Sequence, residues 1–127
     1  MTAGPDPVRV VLVEDNDVFR ETLELLFGMR EEVEVVGSAS SGDTAPELVR
    51  RVEPDVVLMD YRMPGLNGAE ATGAVLAAAP RTKVICLTAS VTSEEVDEVL
   101  AAGAIACMTK DGDFDLLVRK VCEAAKS

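Results

Sequence analysis

Apolar residues follow two rhythms along this chain. In VRVVLV (8–13), VEVVGSA (33–39), DVVLM (55–59), KVICLT (83–88) and AIACM (104–108) they crowd into short runs. Such runs, bounded by Gly and Pro, read as strands buried on both faces. Between them, apolar residues recur every third or fourth position, the period of a helix with one buried face. The spacing predicts a helix over 17–29, with Val18, Thr22, Leu25 and Met29 on one side and Phe19, Leu23 and Leu26 beside them. A second helix is predicted from the capping-box pattern of Thr44 and Glu47, with Pro46 in the first turn, to about Val52. An Ala-rich helix over 68–79 ends at Pro80, and the Thr92–Glu95 pattern opens another that Gly103 stops after Ala102. The last, over 113–125, carries Phe114, Leu117, Val118, Val121, Cys122 and Ala125 on one stripe.

Strand and helix thus alternate five times. Short apolar strands separated by helices demand an α/β fold: a five-stranded parallel sheet, doubly wound as (βα)5, with helices on both faces. Residues 1–7, MTAGPDP, read as a flexible arm, and 8–127 as a single domain. In such sheets the working crevice lies beyond the carboxyl ends of the strands, so the residues there carry the functional information.

Composition narrows the choice of partners. Twelve basic against 23 acidic residues give a net charge of −11, the wrong sign for a phosphate-backbone surface. No direct nucleic-acid contact by this domain is expected. There is no signal-peptide h-region and no apolar run of membrane-spanning length, so a cytoplasmic location without membrane contact is expected. Three cysteines, Cys86, Cys107 and Cys122, lack C-x-x-C spacing, and the chain has no His to complete a zinc site. They read as small apolar side chains in a reducing compartment. A redox pairing of Cys86 with Cys107 is a second possibility, since their strands should be neighbours.

The strand ends gather chemistry. Glu14 and Asp15 follow the first strand, Asp60 the third, Thr88 closes the fourth, and Thr109 and Lys110 follow the fifth. Any one of these alone is an ordinary turn or surface residue. Together, three carboxylates on one edge repel one another, and a divalent cation relieves that repulsion. An oxygen-only donor set favours a hard ion, Mg²⁺ or Mn²⁺. Thr88 and Lys110 are suited to phosphate oxygens.

The stretches VLVEDN (11–16), PDVVLMDYRMPGLNG (54–68), KVICLTA (83–89) and AAGAIACMTK (101–110) resemble, in order and spacing, the receiver domain of bacterial two-component response regulators. The resemblance covers about residues 8–125, and the KD at 110–111 is most similar to the NarL/FixJ-type regulators. It implies the flavodoxin-like strand order 2-1-3-4-5. It implies that Asp60 accepts a phosphoryl group from a phosphohistidine of a sensor histidine kinase, and that the domain catalyses its own phosphorylation and dephosphorylation. Asp15, Asp60 and the Arg62 backbone carbonyl would hold Mg²⁺, with Glu14 acting through water. Lys110 and Thr88 would contact the phosphoryl oxygens. Thr88 would then draw the 89–93 loop toward the site and shift the face formed by the fourth helix, fifth strand and fifth helix. The output would be transcription through an effector domain or a downstream protein, with homodimerisation on phosphorylation. The chain would be a stand-alone receiver or the amino-terminal part of a longer regulator with a DNA-binding helix-turn-helix.

Two positions depart from that family's pattern. Its switch aromatic, three residues before the lysine, is Cys107 here, so output is expected to run through loop and helix movement. The Pro that often follows the lysine is Asp111. Arg62, bulky and basic, stands where water access to an acyl phosphate is controlled. The acidic stretch SEEVDEV (93–99) reads equally as a solvated face or a partner surface. Competing readings are a degenerate receiver acting as a phosphorylation-independent interaction module, a flavodoxin-like flavin carrier and a haloacid-dehalogenase-type phosphatase. EDND after the first strand would repel a flavin phosphate. The phosphatase would need an acid where Arg62 stands.

Overall fold

The computed structural model describes residues 6–89 and 92–126, with Ser93 by its backbone alone. Residues 1–5 of the expected arm, and Ser90 and Val91 of the loop expected to move, lie outside the described residues. Ten elements alternate along the chain: β1 (Val8–Val13), α1 (Asp17–Gly28), β2 (Val33–Ala39), α2 (Ala45–Val52), β3 (Val56–Asp60), α3 (Gly68–Ala78), β4 (Lys83–Thr88), α4 (Ser93–Ala101), β5 (Ala106–Thr109) and α5 (Phe114–Ala125). All strand pairings are parallel, in the order β2-β1-β3-β4-β5. The fold class and strand order are those expected.

The period-two geometry of a strand splits the apolar runs between two cores. Val11, Val13, Val57, Met59, Val84 and Cys86 face one way, against α2, α3 and α4. Val10, Leu12, Val56, Leu58, Ile85 and Leu87 face the other way, against α1 and α5. Because the two cores cover both faces, the central strands contain almost no polar residue until their carboxyl ends. The order reverses between β1 and β3, and the crevice opens there.

Several local expectations shift, each for a visible reason. On α1 the buried residues are Leu23 and Phe27, while Val18, Leu25 and Met29 are exposed. Phe27 decides the rotation: its ring lies 5.0 Å from that of Phe114, tilted by 58°. Thr44 precedes α2 but does not cap it by its side chain. Its backbone is already helical, so its Oγ1 turns back to the Ser41 carbonyl at 3.3 Å, and Glu47 pairs with Arg50. Thr92 does cap α4, accepting from the Glu95 N–H. The third strand runs one residue later than expected and includes Asp60, which pairs with Leu87; Asp55 instead accepts from the Arg9 N–H at 2.9 Å. The fifth starts at Ala106 because the Ala104 N–H is taken by the Val99 carbonyl at the end of α4. Among the described residues every peptide bond is trans, the Lys110–Asp111 bond included.

Candidate functional site

Asp60 is the last residue of a wholly buried strand and is itself only 4% exposed. The chain must leave the sheet immediately after it, and two backbone bonds hold the exit. Tyr61 N–H donates to the Leu87 carbonyl at 3.1 Å, and Gly68 N–H donates to the Tyr61 carbonyl at 2.7 Å. The loop is therefore cinched at its base. Gly68 is required there, since a Cβ would sit 2.6 Å from Tyr61 Cα. Gly65 turns the loop with φ +79°, in the left-handed region. Asn67 and Glu70 then form a reciprocal capping box that starts α3.

An open cleft of about 370 Å³ lies over Asp60, lined by Glu14, Asp15, Asn16, Arg62, Thr88, Ala89 and Lys110. The sheet order brings these together because β1, β3, β4 and β5 end side by side. Lys110 Nζ lies 2.8 Å from Glu14 Oε1 and 3.2 Å from Asp60 Oδ1. It is steered by the Phe19 ring, whose centroid is 4.7 Å from Nζ. Glu14 is as buried as Asp60, and its second oxygen accepts from the Asn16 N–H at 3.1 Å. The Asn16 side chain meanwhile caps α1. Thr88 is buried at the end of β4, its carbonyl accepting from the Lys110 N–H.

Glu14, Asp15 and Asp60 each offer a carboxylate oxygen, all within 4.8 Å of one another. Burial, then the neighbouring Glu14 carboxylate, pushes the Asp60 carboxyl up from 3.8 to about 7, against the pull of Lys110. Burial lowers the Lys110 ammonium, but its bond to Glu14 and the charges of Asp60 and Glu14 outweigh this and raise it overall. One lysine does not balance three acids. The oxygen-only donor set, short of positive charge, fits a hard divalent cation.

A pH dependence follows for the chain without divalent ions. Folded Asp60 keeps its proton to about pH 7, whereas the unfolded carboxyl releases it near 3.8. The folded state binds more protons between those values, so this stability is complete at the acid end and is lost as pH rises through about 7. With a chelator present, the urea midpoint is expected to fall across that interval. Asp60→Asn should remove this part of the profile and be the more stable protein at neutral pH. A variant less stable than wild type there would contradict the assignment.

Of the remaining candidates, Cys107 falls outside the cleft, whereas Arg62 lines it. Cys107, on β5, faces the α2–α4 core beside Cys86, its register partner. Burial pushes both thiols up, leaving them as protonated apolar side chains. Arg62 neither folds over Asp60 nor points freely outward. Its Nη2 lies 2.9 Å from Glu95 Oε2 on α4. Tyr61, the residue before it, donates its hydroxyl to Glu98 at 3.0 Å. Asn16, Phe19, Glu95 and Glu98 were not singled out as site residues by sequence reasoning. Asn16 could have been, because EDND directly precedes a helical pattern and Asn is a preferred cap.

A family model described as the response regulator receiver domain matches residues 10–122. The chain belongs to that family. Among its curated relatives, transcriptional regulatory protein LnrK of Bacillus subtilis is 38% identical over 114 residues, covering 90% of this chain and 52% of LnrK. The probable transcriptional regulatory protein NarL of Mycobacterium tuberculosis is 37% identical over 122 residues, covering 96% of this chain and 56% of that one. The chain thus spans about half the length of these relatives. The solved signal receiver domain of the M. tuberculosis response regulator NarL superposes with a TM-score of 0.91 at 36% identity, covering 97% of this chain and 99% of that one. This receiver is therefore of the NarL type, within the two-component response regulators, and the flavin-carrier and phosphatase readings fall away. No helix among the described residues of the receiver is long and apolar enough to cross a membrane.

Proposed function

We propose that this receiver accepts a phosphoryl group on Asp60 from the phosphohistidine of a sensor histidine kinase, in the cytoplasm. The observation that carries the reading is the cleft itself. A buried nucleophilic carboxylate stands at its base, bridged by Lys110 to Glu14, with the exposed Asp15 beside it. An Asp60 oxygen attacks phosphorus, the O–P bond forms as the N–P bond breaks, and the imidazole leaves with the electron pair and takes up a proton. Lys110 would follow the charge onto the transferred group, and Thr88 and the backbone N–H of Ala89, which line the same cleft, would donate to its oxygens.

Asp15, Asp60 and the Arg62 carbonyl are the residues that would hold Mg²⁺, or Mn²⁺ in its place. Both Glu14 oxygens are already engaged, by Lys110 and by the Asn16 N–H, which suits a role for Glu14 through water. When bound, the ion supplies positive charge where negative charge accumulates. The phosphorylated receiver then acts on an effector domain or a downstream protein, or pairs with a second copy. The face that changes is α4, β5 and α5.

The test is incubation with acetyl phosphate and Mg²⁺ followed by intact mass. Wild type is expected to gain one phosphate and Asp60→Asn none. A wild type that gains none overturns the reading and favours a phosphorylation-independent interaction module.

A further inference from the structure

The helix expected to move, α4, is lightly held. Among its described side chains only Val99 is fully buried, packed in the core cluster that also holds Tyr61, Cys86 and Ala104. Among the described residues, two polar tethers join it to the loop after Asp60. Tyr61 and Arg62, the two residues directly after Asp60, reach Glu98 and Glu95. The second tether has an unusual energy balance. The Glu95 side chain is only 16% exposed, and its Oε1 is buried with no hydrogen-bond partner. Its other oxygen meets Arg62, whose side chain is 68% exposed and also lines the cleft over Asp60. The Glu95 charge is felt at Cys86 and Cys107, whose thiols it helps to push up. The carboxylate therefore lies near the position where related receivers carry a switch aromatic.

We propose that Arg62 links Asp60 to α4, by leaving Glu95 for the phosphoryl group and so releasing the helix. The inference rests on the phosphoryl-acceptor reading above. A guanidinium prefers a doubly charged phosphoryl group, which it can bind through two parallel bonds, to a single carboxylate oxygen. Arg62 already stands at the rim of the cleft, so the exchange needs only side-chain rotation. Glu95 is then a half-desolvated charge without its cation, an arrangement that is strongly unfavourable. Its cheapest relief is hydration, which requires the first turns of α4 to move outward. Phosphorylation is thus converted into helix displacement by competition for one arginine, and no ring at position 107 is needed. Glu95 is a positioning residue in this scheme, and Arg62 is a phosphoryl ligand.

The experiment is amide hydrogen exchange of α4 in wild type, Arg62→Ala, Arg62→Lys and Glu95→Gln. Each is measured with and without acetyl phosphate and Mg²⁺, and the phosphorylated fraction is read by intact mass. In wild type, phosphorylation is expected to speed α4 exchange by roughly fivefold or more, the lower range of typical site-to-site coupling. Arg62→Ala should exchange fast in α4 without phosphate, whereas Glu95→Gln, which leaves no buried charge to strand, should exchange slowly; both should change by less than about twofold when phosphorylated, the coupling being lost. Arg62→Lys should restore slow exchange in the unphosphorylated protein, since it restores the counter-charge. Exchange in α5 should be the same in all four, which separates release of α4 from general unfolding. Phosphate on Asp60 with the same α4 response in all four proteins overturns the inference alone. A wild type that takes no phosphate removes the reading beneath it, and the inference with it.

Discussion

Replacing Lys110 with methionine is expected to cost about 3–5 kcal/mol of folding stability at neutral pH without divalent ions, the usual penalty for removing one partner of a buried ion pair. Against a typical domain stability of about 5–15 kcal/mol, that is a large fraction. Methionine keeps much of the apolar stem over Phe19, so packing changes little and the missing charge dominates. Glu14 and Asp60, 3% and 4% exposed, are left facing each other without a cation. Asp60 is already raised to about 7 in the presence of the lysine. Without it the carboxyl should bind a proton still more readily. The sign follows: the deficit should be smaller below about pH 7, where Asp60 is protonated in both proteins and does not repel Glu14, and grow as pH rises through about 7, where wild-type Asp60 ionises beside Lys110. Urea unfolding on either side of that pH checks it, and Mg²⁺ should recover part of the loss at neutral pH. The variant should also fail to gain phosphate from acetyl phosphate. Equal urea midpoints for variant and wild type at neutral pH, with chelator, would show that solvent rather than Lys110 balances the two acids.

Phe27→Ala is expected to cost a similar amount, about 3–5 kcal/mol, by a different route. The ring is fully buried, sits 5.0 Å from Phe114, and belongs to the core between the sheet and the α1 and α5 helices. The chain has four aromatic side chains in all. Leu25→Ala on the same helix is the control. Leu25 is 72% exposed, and its truncation should change stability by no more than about 0.5 kcal/mol. Comparison of the two midpoints tests which face of α1 is buried. If the leucine proved the costlier, the helix would be rotated from the arrangement described.

The fold was legible because two signals agreed along the whole chain. Buried parallel strands have no choice but to be apolar at consecutive positions, and the five runs name themselves. The strand-end residues followed by topology, which placed Glu14, Asp15, Asp60, Thr88 and Lys110 at one edge before any distance was known. What failed was rotation and partnership. On α1 both Val18–Leu25–Met29 and Phe19–Leu23–Leu26 have helical spacing, and periodicity alone does not say which meets the sheet. Phe27, one turn beyond Leu23, settles it in favour of the second stripe through Phe114, a contact between residues far apart in sequence. Thr44 and Asn67 show the same limit from the other side. Both have a Glu three residues on, but Thr44 is already helical and bonds Ser41, whereas Asn67 is extended and completes the box. Glu95 was legible as the capping partner of Thr92, but within an acidic stretch that reads equally as a solvated face or a partner surface nothing named its partner. The position of Arg62 across the gap does.

The tether between Tyr61 and Glu98 has a practical consequence. The chain contains one tyrosine and no tryptophan. Its near-ultraviolet absorption and emission therefore come chiefly from a single ring, one residue from Asp60, the proposed phosphoryl acceptor, with its hydroxyl bonded to the helix that is expected to move. The protein thus carries its own optical probe. A change in tyrosine emission on adding acetyl phosphate would follow this junction in real time, in native protein and without a label.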